Sequence, residues 1–184
     1  RGALRKGLII VQFSASIVLI IGTLFVYKQL NYFKNIDPGY AKDQLMYLAY
    51  NEMGSSPKMN SFVEEISKNS NIISITQTSS IPGNVFYQNV TRINDEDKVL
   101  YDLIADNQYF ETMGLKLVEG KIPSLNPEKR KNEIILNQSA VKELGWEEPI
   151  GQTDIWGREV VGVVEDFNYM SMHQPILPMM IRFD

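Results

Sequence analysis

The sequence predicts an α+β fold. One transmembrane helix stands at the N-terminus, and a mixed α/β extracytoplasmic domain follows, with room for two lobes. Three observations predict this. Residues Gly7 to Tyr27 carry no charge over 21 positions, and most of them are large and apolar. The remainder alternates short β-branched runs with short stretches of helical periodicity, the pattern of mixed strands and helices. No internal repeat and no low-complexity linker divides that remainder.

At about 1.5 Å per residue the uncharged run makes a helix about 32 Å long, which matches a hydrocarbon core of roughly 30 Å. Its polar residues, Gln12, Ser14, Ser16 and Thr23, are neutral and suit helix–helix contacts inside a bilayer; Gly7, Gly22 and Tyr27 belong to the same span. A secretory signal needs a shorter apolar region and a small-residue cleavage site, which Tyr27-Lys28-Gln29-Leu30 does not provide. A buried soluble helix rarely runs this far without a charge. Arg1, Arg5 and Lys6 precede the span, which places the N-terminus in the cytoplasm and residues after about Lys28 outside it. From Gly7 onward the chain has 15 basic and 22 acidic residues, a net charge of −7, so its bulk suits export. Tyr27, Tyr32 and Phe33 suit an interfacial aromatic belt. Because the sequence begins with Arg1 and not Met, it reads as a fragment or a processed product.

The helix is expected to continue past Leu30 and Phe33 and to stop at Asp37-Pro38-Gly39, since Pro lacks a donor and Gly permits the turn. This divides the chain into residues 1–36 and a domain of 37–184. Gln44 to Tyr50 reads as a first strand. Ser55-Ser56-Pro57 opens a helix, with Met59, Phe62, Val63 and Ile66 spaced to form one buried face. Ile72 to Thr78 reads as a strand, and Ile81-Pro82-Gly83-Asn84 as a turn. Val85–Asn94 and Lys98–Ala105 flank Asp95-Glu96-Asp97 as a hairpin. Asp106 caps a short helix holding Tyr109, Phe110 and Met113, closed by Gly114. Ser124 to Asn132 is a polar loop which, with the hairpin, marks the boundary between any two lobes. Glu133–Leu136 is a strand. Asn137 caps the helix Gln138–Leu144, and Gly145 ends it. Val160–Val164 is apolar throughout, as in a strand buried on both faces, and Met179–Phe183 is the last strand.

The chemistry in the sequence is sparse. A net charge of −4 over 184 residues excludes a nucleic-acid binder. With no cysteine and one histidine there is neither a disulfide framework nor a Cys/His zinc site. The P-loop and G-x-S-x-G patterns are absent. His173 lies near Ser171 and Asp166, but proximity in sequence is not triad geometry. Glu64-Glu65, Asp95-Glu96-Asp97 and Glu147-Glu148 lack the spacing of a calcium loop and read as solvated surface. Asn89-Val90-Thr91 and Asn137-Gln138-Ser139 match a glycosylation sequon. Trp146 and Trp156 read as core or lobe-interface residues. No catalytic residue, cofactor or metal site is expected on this chain.

Four segments, in order, resemble the permeases of MacB/FtsX-type ABC transporters. Arg5-Lys6-Gly7-Leu8-Ile9-Ile10-Val11-Gln12-Phe13-Ser14-Ala15-Ser16-Ile17 resembles the start of a transmembrane helix in that family. Asp106-Asn107-Gln108-Tyr109-Phe110-Glu111-Thr112-Met113-Gly114, with Leu117 and Glu119-Gly120-Lys121, is similar to its "yf-x-t-x-G … L-x-x-G-R" segment, with Lys121 in place of the usual Arg. Asn137-Gln138-Ser139-Ala140 through Leu144-Gly145-Trp146-Glu147-Glu148-Pro149-Ile150-Gly151 is similar to "N-e-x-a … l-G-w-x-d-P-i-G". Val161-Gly162-Val163-Val164-Glu165-Asp166-Phe167, with Ser171, His173, Ile176 and Pro178, is similar to "v-G-V-v-x-D-f-h … s-l-h-x-x-I-x-P", with Asn168 where His is common.

The resemblance implies the first helix of a permease half and its periplasmic core domain, in a bacterial inner membrane. It also implies an ABC ATPase subunit that hydrolyses ATP separately, a second permease half or a homodimer, surrounding lipid, and a periplasmic or outer-membrane partner. In such permeases, ATP-driven closure on the cytoplasmic side moves the extracytoplasmic domains, which export substrate or relay force. The wording of the N-terminal segment resembles the second half of long, duplicated permeases. A different function class fits the same layout. One span followed by an α+β domain also describes a membrane-anchored receptor that senses a small ligand, and, more remotely, an anchored hydrolase.

Overall fold

The computed structural model describes residues 2–49, 57–84, 86–93, 96–171 and 174–183. The chain forms two compact units, Arg1–Asp37 and Pro38–Asp184.

The first unit is one helix, α1, Gly2–Asn35. It is 34 residues long, it is long and apolar enough to cross a membrane, and none of its residues is buried. The hydroxyls of Ser16 and Thr23 donate to the carbonyls of Gln12 and Leu19, one turn back, at 3.0 and 2.8 Å. The hydroxyl donors of these two side chains are therefore satisfied within the helix. Past α1 the amide of Ile36 still reaches the Tyr32 carbonyl at 3.1 Å. Pro38, which has no amide hydrogen, and Gly39, at φ +80, then end the helical path.

The second unit is built on one six-stranded mixed sheet. Its strands are β1 (Tyr87–Ile93), β2 (Glu96–Ala105), β3 (Leu117–Gly120), β4 (Glu133–Asn137), β5 (Glu159–Val164) and β6 (Met179–Phe183). Their spatial order is β1-β2-β6-β4-β5-β3. The β2–β6 and β4–β5 pairs are parallel, and the other three are antiparallel. A single sheet joins every described strand, so the two-lobed arrangement is not adopted: the hairpin β1–β2 and the 124–132 stretch both attach to the same sheet. That stretch is also not all loop, because Pro127–Arg130 forms the short helix α4, whose Asn126 side chain caps the Glu128 amide at 3.0 Å.

Two apolar layers sandwich the sheet. On one face Leu103, Ile135, Val161, Ile181 and Phe183 pack against Phe167, Tyr169 and the short helix α3, Tyr109–Met113. On the other, Leu100, Ile134, Leu136, Val160 and Met180 pack under Ala140 and Leu144 of α5, Gln138–Leu144. Each such large side chain contributes about 1.5–3 kcal/mol on full burial. The all-apolar reading of β5 is correct for this reason: it lies between β4 and β3 with both of its faces covered.

Further sequence expectations differ from the structure. Residues 44–49 form no strand; Gln44 sits at φ +67 and Leu45, Met46, Tyr47 and Leu48 are exposed, while Tyr50 lies outside the described residues. A strand needs a partner, and among the described residues no strand takes this segment as a neighbour. Ile72–Thr78 joins the sheet only at its end, through a single bridge from Thr78 to Ala105. Its polar side chains bind α3 and the residue Asp106 before it instead: Ser74 bonds Thr112 at 2.6 Å, and Thr76 donates to Asp106 at 2.6 Å. Asp106 is not the cap of α3: Gln108 stands at the N-cap with no side-chain bond to the helix, and Asp106 accepts from the Gln108 amide at 3.1 Å. The helix expected after Pro57 is present as α2, Pro57–Ser67, but its apolar stripe is half-covered at best, and Phe62 is exposed. The N-cap expected at Ser55-Ser56 lies outside the described residues. In the hairpin, Glu96 and Asp97 belong to the ladder, opposite Ile93 and Arg92, and not to the tip.

Candidate functional site

The residues singled out from the sequence meet at three junctions of the second unit. None of these is a catalytic constellation. Among the described residues no three His, Cys, Asp or Glu side chains are grouped to hold a metal. His173 lies outside the described residues, so no geometry attaches to it.

The first junction ties α5 to the sheet. Asn137 is fully buried at the end of β4. Its Oδ1 accepts from the amides of Ala140 (2.9 Å) and Met179 (2.8 Å), and its Nδ2 donates to the Leu177 carbonyl (2.9 Å). One side chain thus caps a helix and fixes the entry of β6, next to Pro178, whose carbonyl accepts from the Tyr101 amide of β2 at 2.8 Å. Asp166, just past β5, accepts from the amide and hydroxyl of Ser139 at 2.9 and 2.7 Å. Both carboxamide and carboxylate stand at the positive end of α5, where an acceptor is favoured. Burial of Asn137 also removes one of the two sequons as a modification site in the folded chain. The other, at Asn89, donates its amide to Asp102 at 2.7 Å.

The second junction is a glycine pair. Gly120 and Gly162 are register partners in β3 and β5. A Cβ on Gly120 would lie 2.2 Å from the Val161 carbonyl oxygen and 2.8 Å from Ile150 Cδ1. A Cβ on Gly162 would lie 2.7 Å from the Lys121 carbonyl oxygen. Each glycine is therefore required by the other's strand. Pro149 and Gly151 form the turn beside them: the Gln152 amide bonds the Pro149 carbonyl at 3.2 Å, and Gly151, at φ +85, bonds Val160 at 2.9 Å. At Lys121 the backbone amide and carbonyl make the close approach, so Lys in place of Arg changes only an exposed tip.

The third junction receives the chain as it leaves the first unit. The Pro38 carbonyl accepts from the Asn168 amide at 2.7 Å, and the Ala41 amide donates to the Met113 carbonyl at 2.7 Å. Gly39 presses on the 166–167 backbone, with room for no Cβ closer than 3.0 Å to the Asp166 carbonyl oxygen. Gly114, the left-handed cap of α3 at φ +64, lies against Ala41. Residues 38–41 thus form a strap clasped between α3 and the segment 166–168. Tyr40 sits half-buried against the core that holds Tyr109, Phe110 and Phe167. Burial raises the Tyr40 hydroxyl pKa, and raises those of Tyr109 and Tyr169 much further, with Tyr40 adding to the effect at Tyr109. At position 168 it is the backbone that bonds, so Asn in place of His leaves the strap unaffected.

Sequence reasoning missed the strap and one buried ion pair. Asp37-Pro38-Gly39 reads as a helix stop and hides its second role. Asp102, 4% exposed, receives both Nε and a terminal nitrogen of Arg182. The signal was available: Asp102 interrupts the largely apolar run 99–105 of β2, and Arg182 interrupts the otherwise apolar β6. Trp146 is partly buried against the α5 layer, as expected, but Trp156 is exposed and stacks on Arg158, 4.7 Å from the ring centroid. It is not a core residue, because the turn that carries it folds back on the Asp154–Arg158 ion pair. A depression of about 570 Å³ is lined by Lys121, Ser124, Glu128, Lys129, Glu133 and Glu159, charges of both signs.

No family model and no curated protein matches the chain. The chain is similar to three solved structures. The periplasmic region of MacB from Actinobacillus actinomycetemcomitans matches at 23% identity and TM-score 0.48, over 67% of this chain and 53% of that one. A domain described as part of a permease protein from Porphyromonas gingivalis matches at 14% identity and TM-score 0.41, over 59% of this chain and 49% of that one. The extracellular domain of the ABC-type transporter YknZ from Gram-positive bacteria matches at 18% identity and TM-score 0.41, over 65% of this chain and 66% of that one. The chain spans about half the length of the first two.

Proposed function

We propose that the chain is the first helix and the extracytoplasmic core domain of an ABC-transporter permease, with α1 as its anchor in the inner membrane. The observation that carries this reading is the ordered motif series together with the places its residues take. Tyr109 and Phe110 belong to α3, which Gly114 caps and which receives the strap. Gly120, Pro149, Gly151 and Gly162 lock β3 to β5. Asn137, Asp166 and Pro178 lock α5 and β6 to the sheet. Motif residues of this kind hold a body rigid and carry displacement; they do not bind and convert a substrate.

The mechanism follows from the strap. A movement of α1 reaches the domain through residues 38–41, whose two backbone hydrogen bonds pull on α3 and on the 166–168 segment. Asp166 passes the displacement to Ser139 and α5, and Phe167 passes it to the core. In this reading no covalent chemistry occurs on the chain, and ATP is hydrolysed on a partner subunit. A second permease half or a second copy completes the membrane part, and a further partner outside the membrane would receive substrate or force.

The test is isolation of the parent protein from its own membrane in mild detergent. A nucleotide-binding subunit should accompany it, with ATPase activity that vanadate inhibits. A chain that isolates cleanly with no ATPase, and that instead carries a cytoplasmic signalling module, would replace this reading with the receptor.

A further inference from the structure

One stretch of the second unit has the composition of a strand and an open backbone. Residues 72–78 carry isoleucine at positions 72, 73 and 75, and they reach the sheet only at Thr78. The side chains of Ser74 and Thr76 turn to Thr112 and Asp106. Ile73, the neighbour of Ser74, is 91% exposed. Among the described residues, nothing bonds the backbone amides or carbonyls of Ile73, Ser74, Ile75 and Thr76. An open backbone edge beside an exposed apolar side chain is a template for another strand.

The position of this stretch points to the source of that strand. Ala105 ends β2 between two neighbours. Thr78 bridges it in the antiparallel sense, and Phe183 of β6 pairs with it in the parallel sense. Because a strand has two edges, Thr78 and Phe183 stand two strand spacings apart, about 10 Å. Helix α3 touches both: Thr112 bonds Ser74 at 2.6 Å, and the Phe110 ring centroid lies 5.9 Å from that of Phe183. Residues 73–77 approach Thr78 antiparallel to β2, whereas β6 runs parallel to β2. The direction in which β6 leaves the sheet is therefore the direction from which 73–77 arrive.

We propose that the stretch of the parent protein following Asp184 pairs as an antiparallel strand with residues 73–76 and covers Ile73 with an apolar side chain. Phe183 delivers that stretch to within about 10 Å of its seat. Linkage in one polypeptide gives it an effective concentration on the order of millimolar, an advantage that a separate protein or a second copy lacks. This rests on the permease reading in one respect, that the parent protein continues beyond Asp184.

The experiment uses the full parent protein in its own membranes. Ile73→Cys should react with a water-soluble maleimide at least about tenfold more slowly than Leu125→Cys, at a position 84% exposed, because a covered site reacts only through local opening. Both should label fully after denaturation. A photoreactive benzophenone side chain at position 73 should crosslink without gain of mass, and the crosslinked peptide should lie after Asp184. Labelling at 73 as fast as at 125 would overturn the proposal. So would a crosslink to lipid, to a second polypeptide or to a peptide within residues 1–184. Each of these results would leave co-isolation of the ATPase untouched, so the two readings fail separately.

Discussion

Helix α1 and the sheet that follows it are both rich in large apolar residues, yet they use them in opposite ways. No side chain of α1 is buried, and the hydroxyls of Ser16 and Thr23 bond within their own turns. The central strands of the sheet hide their apolar residues on both faces, and buried polar side chains such as Asn137 and Asp102 are paired. The contrast teaches that apolar content alone says little about where a residue ends up. Solvent decides for α1, and register, caps and glycine contacts decide for the sheet. Substitutions in the sheet should therefore act on stability, and substitutions in α1 on coupling alone.

The largest effect should come from Gly120→Val. It sets a side chain at φ +80 into the Val161 carbonyl, and should cost about 3 kcal/mol or more. Thermal unfolding of the full chain in detergent should fall by at least about 6 °C. Asn137→Ala leaves two amides and a carbonyl without their buried partner, and should cost about 2–3 kcal/mol, read by denaturant titration. Gly39→Val should cost about 2 kcal/mol by pushing the strap off Phe167, and should also weaken coupling.

The buried tyrosines set an alkaline limit. Their folded pKa values lie above the ordinary value of 10.0, so the folded state holds protons that the unfolded state releases. Stability from this source is whole below about pH 10 and declines as pH rises above it. Tyr169→Phe should flatten that decline in pH-dependent melting curves; an unchanged slope would mean that the hydroxyl is solvated. The smallest effect on stability should come from Gly22→Pro, less than about 0.5 kcal/mol in the domain, since α1 is a separate unit. Under the proposed transporter reading its effect on coupling should nevertheless be large, because a mid-helix proline removes a hydrogen bond and kinks the axis.

The same contrast explains what could be read from the sequence. Local signals were legible where one segment settles its own geometry. The caps at Asn137, Gly114 and Gly145, the turn at Ile81–Asn84 and the doubly buried β5 all follow from residues within a few positions of each other. What depends on distant partners was not legible. Leu45–Leu48 has the pattern of a strand but no neighbour, and Ile72–Thr78 gives its side chains to α3. Six strands join one sheet because β6 pairs with both β2 and β4, a choice that no local pattern records. At the candidate site, the glycines and capping residues were visible as motif positions. The strap was not, because its contacts at Pro38, Ala41 and Asn168 are made by backbone atoms that any sequence possesses.

The most direct test follows the amides of Ala41 and Asn168 by hydrogen exchange in the reconstituted parent complex, with and without ATP and vanadate. Coupling through the strap requires that trapping the nucleotide state change exchange at both amides in the wild type, and at neither in Gly22→Pro. Exchange at these two positions that ignores nucleotide in the wild type, or that responds equally in Gly22→Pro, would contradict it.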